Sequence, residues 1–174
     1  MLTPDDVVAA ATTAVAALRP AAGHDWSVRA GALEWDVERT ISHMTGAVAK
    51  YTLYLASRCE HFIGLSVTRW PDATNEEVID SIVPVATGLA AVVGATPPGV
   101  RAYHVTGPSS PAGYIGLGCV ELLVHTGDAL SGLGLAFAPP ADLCGRVLAQ
   151  QFPHVDAKGD AWHALLTANG RPVR

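Results

Sequence analysis

Residues 35–59 read WDVERTISHMTGAVAKYTLYLASRC, and the spacing of their apolar members decides the fold. Val37, Ile41, Met44, Val48, Tyr51 and Leu55 recur at alternating intervals of four and three. Positions three and four apart return to one face of a 3.6-residue helix, so this is a seam facing the inside of a helical bundle. His43 lies mid-helix, on the shoulder of that seam, about 120° from its centre.

Working outward, the spacing predicts three further long helices. One runs from about Thr3 to Leu18, with Thr3 as cap, Pro4 in the first turn and Asp5 and Asp6 at the positive end of the helix dipole. Another covers roughly Asn75 to Val93, capped by Thr74 or Asn75, with Pro84 inside it as an expected kink. A third runs from about Ala112 to Leu133. After Pro139 and Pro140 come two shorter helices, about Ala141 to Gln151 and Asp160 to Ala168, the last stopped by Asn169, Gly170 and Pro172. Residues 20–34, 61–73 and 97–113 read as loops, with short extended pieces expected in the latter two. No repeat or linker interrupts the chain. The fold class is therefore all-α: a four-helix bundle with short C-terminal helices, residues 1–174 forming one domain.

Composition agrees. Of 174 residues, 49% are hydrophobic and 16% charged, which suits a buried core without disulfides, and the net charge of −5 with scattered basic residues argues against nucleic-acid binding. The acidic N-terminus does not read as an export signal. The apolar run from Pro111 to Pro140 is broken by Glu121, His125, Asp128 and six glycines, so no membrane association is expected. Cys59, Cys119 and Cys144 are odd in number and widely spaced, which favours a reducing, cytoplasmic setting. The overall apolar character leaves surface that a homodimer would cover, and the alanine-rich composition fits a GC-rich genome.

The chemistry concentrates in CVELLVHTGDALSGLG, residues 119–134. No Lys or Arg occurs between Arg101 and Arg146, yet this stretch carries Glu121, His125 and Asp128. On a helix the three fall within roughly 60° of one another, with Gly118 and Gly132 on the same stripe and leucines elsewhere. Buried carboxylates need an offsetting partner, which here means solvent, a histidine, a distant arginine or a metal ion. Glu121 and His125, four apart, place an oxygen and a nitrogen side by side, and His43 is the best-placed third ligand for a His₂Glu cation site with an open position. The alternative is a Glu-His pair satisfied within the core.

Other residues carry weaker expectations. His24, His61, His104, His154 and His163 read as surface residues in loops or near helix ends. Arg69 and Arg101 lie in loops that could reach the bundle mouth and bind a carboxylate. Trp35 reads as an anchor of the helix start in the core, Tyr51 as packing, Tyr54 as a residue that could line a pocket, and Cys119 as core.

Three stretches also resemble a known family. LEWDVERTISHMTG is similar to the tryptophan-then-histidine signature of the DinB-like bundle, and CVELLVHTGDALSGLG resembles the E-x-x-x-H-x-x-D-x-x-x-x-x-G segment of its actinobacterial branch, which includes mycothiol-dependent maleylpyruvate isomerase. DAWHALLTANGRP looks like the closing segment of single-domain members. The resemblance implies a divalent metal, usually zinc with nickel as an alternative, on the positions matched by His43, Glu121 and His125. It also implies that Asp128 matches a family aspartate lying beside the metal and contributing to catalysis. The isomerase has a further C-terminal domain that these residues do not include, so maleylpyruvate is not the expected substrate. The function expected is a metal-dependent thiol S-transferase or thiol-assisted isomerase, its partners a low-molecular-weight thiol (mycothiol) and an electrophilic small molecule. A non-catalytic small-molecule or metal-binding bundle is the second reading, since fold alone does not decide function.

Overall fold

The computed structural model describes residues 1–155 and 159–172, and they form helices with no named strand among them. The helices are α1 (Pro4–Leu18), α2 (Val37–Ser57), α3 (Asn75–Ala95), α4 (Pro111–Gly132), α5 (Ala141–Gln151) and α6 (Ala161–Ala168), with one 3-10 turn at Arg19–Ala21. Apart from α5, which begins after Pro140, the helix starts are set by side chains that satisfy the first free backbone N–H groups. Thr3 with Asp6, and Thr74 with Glu77, form reciprocal capping boxes. Asp36 accepts from Arg39 N at 2.7 Å, Ser110 from Gly113 N at 3.0 Å, and Asp160 from Trp162 N at 2.9 Å. Asp36 as cap moves the start of α2 two residues beyond Trp35, leaving that indole outside the helix.

All six seam residues of α2 are buried. α1 and α2 each pack on both α3 and α4, which also touch one another, so α1 is diagonal to α2. That arrangement sets α2 directly beside α4 and is what brings His43 to Glu121 and His125. α5 packs on α4, and α6 on α5. One hydrophobic cluster joins residues from all six helices. Pro84 is accommodated within the continuous span of α3. This helix, rather than the 111–140 stretch, is long and apolar enough by composition to cross a membrane, with a mean hydropathy of 1.9. In the bundle it lies along α1 and α2, with Ile79, Ile82, Ala86 and Leu89 in the core.

The expected extended pieces reduce to isolated antiparallel bridges. Ala102 pairs with Ser109, and a second bridge, Arg29 with Asp36, lies in the loop before α2; none falls in residues 61–73. The Arg29–Asp36 loop packs hard against the end of α4: a side chain at Gly132 would meet the Arg29 carbonyl oxygen. Gly118, by contrast, faces the interior, where a Cβ would lie 3.0 Å from both Leu89 and Val7.

The C-terminal helices are tied down by charge as well as packing. Arg146 on α5 donates to Asp6 on α1 at 2.6 Å and to Asp142 at 2.8 Å. Burial alone would raise the Asp6 carboxyl, but the Thr3 N–H, Arg146 and the Thr3 hydroxyl outweigh it and hold it below its ordinary 3.8. A carboxylate lowered on folding stabilises the native state above its unfolded value, and that contribution is lost as pH falls through the lowered value. Replacing Arg146 with Met should therefore cost about 1 kcal/mol at neutral pH, discounted for the partial exposure of the guanidinium. It should also make the acid-induced loss of stability below pH 3.8 shallower than in wild type, which urea unfolding across pH would measure.

Candidate metal centre

The α2–α4 contact places three potential ligands together. Glu121 Oε2 lies 3.2 Å from His125 Nε2 and 3.6 Å from His43 Nε2, and the ligand atoms of the three residues all lie within 4.8 Å of one another. Donors on a tetrahedral zinc with bonds near 2.05 Å sit roughly 3.4 Å apart, so the two Glu-His separations, which are also those of direct ion pairs, leave room for a shared cation. The imidazoles meet edge-on, with centroids 5.2 Å apart. Glu121 and His125 are largely buried, while His43 stands at the mouth with its side chain 43% exposed. This His43/Glu121/His125 group could hold a metal ion.

Each ligand is held from behind. The Tyr51 hydroxyl donates to Glu121 Oε1 at 2.9 Å, which leaves Oε2 as the one deeply buried side-chain polar atom, among the described residues, without a hydrogen-bond partner. His125 Nδ1 pairs with Asp128 Oδ2 at 3.0 Å, so Nε2 is turned toward Glu121. Trp35 lies 4.8 Å from the His43 ring, with the Arg39 guanidinium 4.8 Å over the indole. Trp35 is thus half-buried beside His43 rather than an anchor in the core, because α2 begins after it. Tyr51 goes beyond packing, since its hydroxyl orients Glu121.

The electrostatics favour positive charge at this point. Burial would raise the Glu121 carboxyl, but the adjoining His125 and His43 imidazoles bring it down to about 2. Burial would lower His125, but its hydrogen bond to Asp128 and the neighbouring charges of Glu121 and Asp128 raise it to about 9. The Tyr51 hydroxyl is pushed well above its ordinary value by burial and by the Glu121 charge, so it remains a donor.

Asp128 answers its own burial differently. It is 5% exposed, and both its oxygens face Arg171: Nε lies 3.1 and 3.2 Å from Oδ1 and Oδ2, and Nη2 lies 2.6 Å from Oδ2. The distant arginine and the histidine together offset this charge. Asp128 is not among the residues lining the cleft that holds His43 and Glu121; it stands behind His125 and borders a second cleft on the far side.

The cleft in front of the ligands encloses about 710 Å³. Tyr51, Tyr54, Phe62, Tyr103 and Phe152 give it an aromatic wall, and Lys50, lying 5.1 Å over the Phe62 ring, is the cation that lines it. His104 also lines it, half-buried and 5.7 Å from the Tyr51 ring, because the Ala102–Ser109 bridge folds its loop over the bundle mouth. Burial lowers its pKa, against the Glu121 charge, which raises it. His24, His61, His154 and His163, the last near the start of α6, are exposed as expected.

Neither loop arginine reaches this cleft. Arg69 donates to Asn75 Oδ1 at 3.0 Å and to the Ala73 carbonyl, and lies 3.5 Å from Glu38. Arg101 donates to the carbonyls of Pro98 and Val100. Cys119 and Cys144 are buried, and burial pushes their thiols up to about 12 and about 11, so neither is a thiolate near neutral pH.

Compared with protein-family models, curated proteins and solved structures, the chain matches none of them.

Proposed function

We propose that the protein is a divalent-metal-dependent enzyme that uses a low-molecular-weight thiol to attack an electrophilic small molecule. The observation that carries this reading is Glu121 Oε2: a buried, ionised oxygen with no hydrogen-bond donor, set between two imidazoles at the floor of an aromatic cleft. Leaving such an oxygen unsatisfied is costly, and a cation shared with His43 and His125 relieves it. The donor set is one carboxylate oxygen and two imidazole nitrogens, which suits zinc, with nickel as the alternative.

A divalent cation bound there would favour the thiolate form of a thiol and so supply a strong nucleophile near neutral pH. The protein's own residues do the rest. Tyr51 fixes Glu121 through Oε1, Asp128 fixes the His125 ring, and Trp35 backs His43. We read Asp128 as a positioning residue rather than a proton acceptor, since both its oxygens are engaged by Arg171 and His125.

The wall of Tyr54, Tyr103 and Phe62 suits a flat apolar electrophile, and Lys50 allows it one negative charge; the cleft is large enough for a thiol and a small second substrate. In the reaction the thiol loses its proton to water at the exposed mouth beside His43, and sulfur bonds to the electrophilic carbon. In a transferase a leaving group departs with its electron pair. In an isomerase the adduct rotates about the former double bond and expels the thiolate again. The similarity of residues 33–46 and 119–134 to the DinB-like segments supports mycothiol as the thiol.

The test is thiol consumption with zinc-loaded protein, each of several thiols, mycothiol included, being paired with aromatic haloarenes and with conjugated enones. Turnover is expected in wild type and should fall at least about 100-fold in Glu121→Ala, the scale at which loss of an electrostatic catalytic group is felt. Zinc binding without turnover on any pair would favour the alternative of a non-catalytic binding bundle.

A further inference from the structure

Arg171 lies two residues beyond α6's C-terminal neighbour Asn169, far in sequence from every candidate ligand, yet a series of contacts connects it to one of them. Three contacts run in series: Arg171 grips Asp128 through Nε and Nη2, Asp128 Oδ2 holds His125 Nδ1 at 3.0 Å, and His125 Nε2 stands 3.2 Å from Glu121 Oε2. The arginine is itself fixed. Its Nη1 donates to the Asn169 carbonyl at 2.7 Å and its backbone N to Leu166 O at 2.9 Å, after a turn in which Gly170 takes φ +71°. α6 is seated by Trp162 against Gly127 of α4, so closely that a Cβ at 127 would lie 2.8 Å from the indole. The C-terminal segment therefore docks one residue before Asp128.

We propose that Arg171 is a positioning residue for the metal centre, and that the docked C-terminal segment thereby sets the affinity of the site. An imidazole with two flip-related ring orientations needs its far nitrogen held if the near one is to face a cation, and a carboxylate that does this must itself be held. Asp128 alone is free to rotate about its side-chain bonds. The planar guanidinium, binding both carboxylate oxygens, removes that freedom, which a lysine's single ammonium does not. Arg171 touches neither the cleft in front of the ligands nor any ligand, so its influence on the site passes through Asp128. The inference rests on the metal reading above for its affinity consequence, but the ordering of His125 is independent of it.

The test uses the full chain and the variants Arg171→Gln, Arg171→Lys, Asp128→Asn and Arg171→Gln with Asp128→Asn. In metal-free wild type the hydrogen-bonded His125 Nδ1 proton should appear downfield in the proton NMR spectrum. It should be lost to exchange in Arg171→Gln while the remaining amide spectrum stays folded, and Arg171→Lys should restore it only in part. Zinc titrated against a chromophoric chelator should bind about 10- to 100-fold more weakly to Arg171→Gln. The double variant should be no weaker than the weaker single one, because the two residues act along one path. An unchanged Nδ1 proton in Arg171→Gln overturns the proposal, as do unchanged zinc affinity with only a lower Tm, or additive losses in the double variant. If wild type itself binds no zinc, the metal reading fails and the Nδ1 proton alone decides whether Arg171 orders His125.

Discussion

Zinc at 100 times its Kd should raise the Tm of the wild-type protein by about 5–10 °C and leave that of Glu121→Gln unchanged. A ligand that binds only the folded state stabilises it by about 2.7 kcal/mol at that excess, and each kcal/mol shifts Tm by about 2–4 °C in a chain of this size. Gln keeps the shape of Glu121 and one carbonyl oxygen but removes the charge that brings three donors onto one cation. The fold of the variant has an independent check: Tyr51 can still donate to the amide oxygen, so the far-ultraviolet circular dichroism should match wild type. Thermal scans with zinc, calcium and no metal measure the effect; an equal shift in both proteins would mean that zinc binds elsewhere.

The second large effect lies in the fold. Gly132→Ala should destabilise the protein by about 3 kcal/mol, the upper end of what overpacking usually costs. The added Cβ would meet the Arg29 carbonyl oxygen and would lie 2.9 Å from Ala30 Cα and 3.0 Å from Arg29 C. All three are backbone atoms, and that backbone is pinned by Ala30 N to Trp35 O at 2.9 Å and Val37 N to Val28 O at 2.9 Å. No rotamer change relieves the contact, so either the end of α4 or the lead-in to α2 has to move. Gly145→Ala is the matched control: it sits inside α5 with nothing within 4 Å of the added carbon, and better helix propensity should stabilise it by up to about 1 kcal/mol. Urea unfolding of both variants separates packing from propensity.

These two predictions differ in how far the sequence alone foretold them. The α2 seam was legible because apolar spacing reports burial directly, and each of the six long or short helices lies within two residues of the span its pattern and caps imply. The pairing of Glu121 with His125 was legible from their spacing on one helix. Their meeting with His43 was only half legible: periodicity shows which face of α2 is buried, but not that α2 lies beside α4 rather than across from it. That follows from the diagonal placing of α1 and α2, which the long loops 22–36 and 97–110 permit.

The residues behind the ligands were harder to find. Tyr51 sits on the seam and reads as core, yet its ring is buried while its hydroxyl reaches Glu121. Trp35 precedes its helix by one cap residue, and so touches the site rather than the core. Arg171 was invisible, since nothing periodic connects a tail residue to Asp128, 43 positions earlier. A signal did exist in the charge pattern: a buried aspartate on a stripe without local bases requires a cation from elsewhere in the chain. Arg69 and Arg101, the loop arginines expected to reach the site, are instead occupied by backbone carbonyls and Glu38.

The central claim is that His43, Glu121 and His125 hold a divalent cation. The most direct measurement is the metal content, by elemental mass spectrometry, of untagged protein purified without chelator, beside Glu121→Ala and His43→Ala. About one zinc or nickel per wild-type chain, lost in both variants, is the predicted result for a site of three protein ligands. No bound metal in wild type, and none taken up when zinc or nickel is added to the folded protein, would contradict it and leave Glu121, His125 and Asp128 as an ion-paired network within the core.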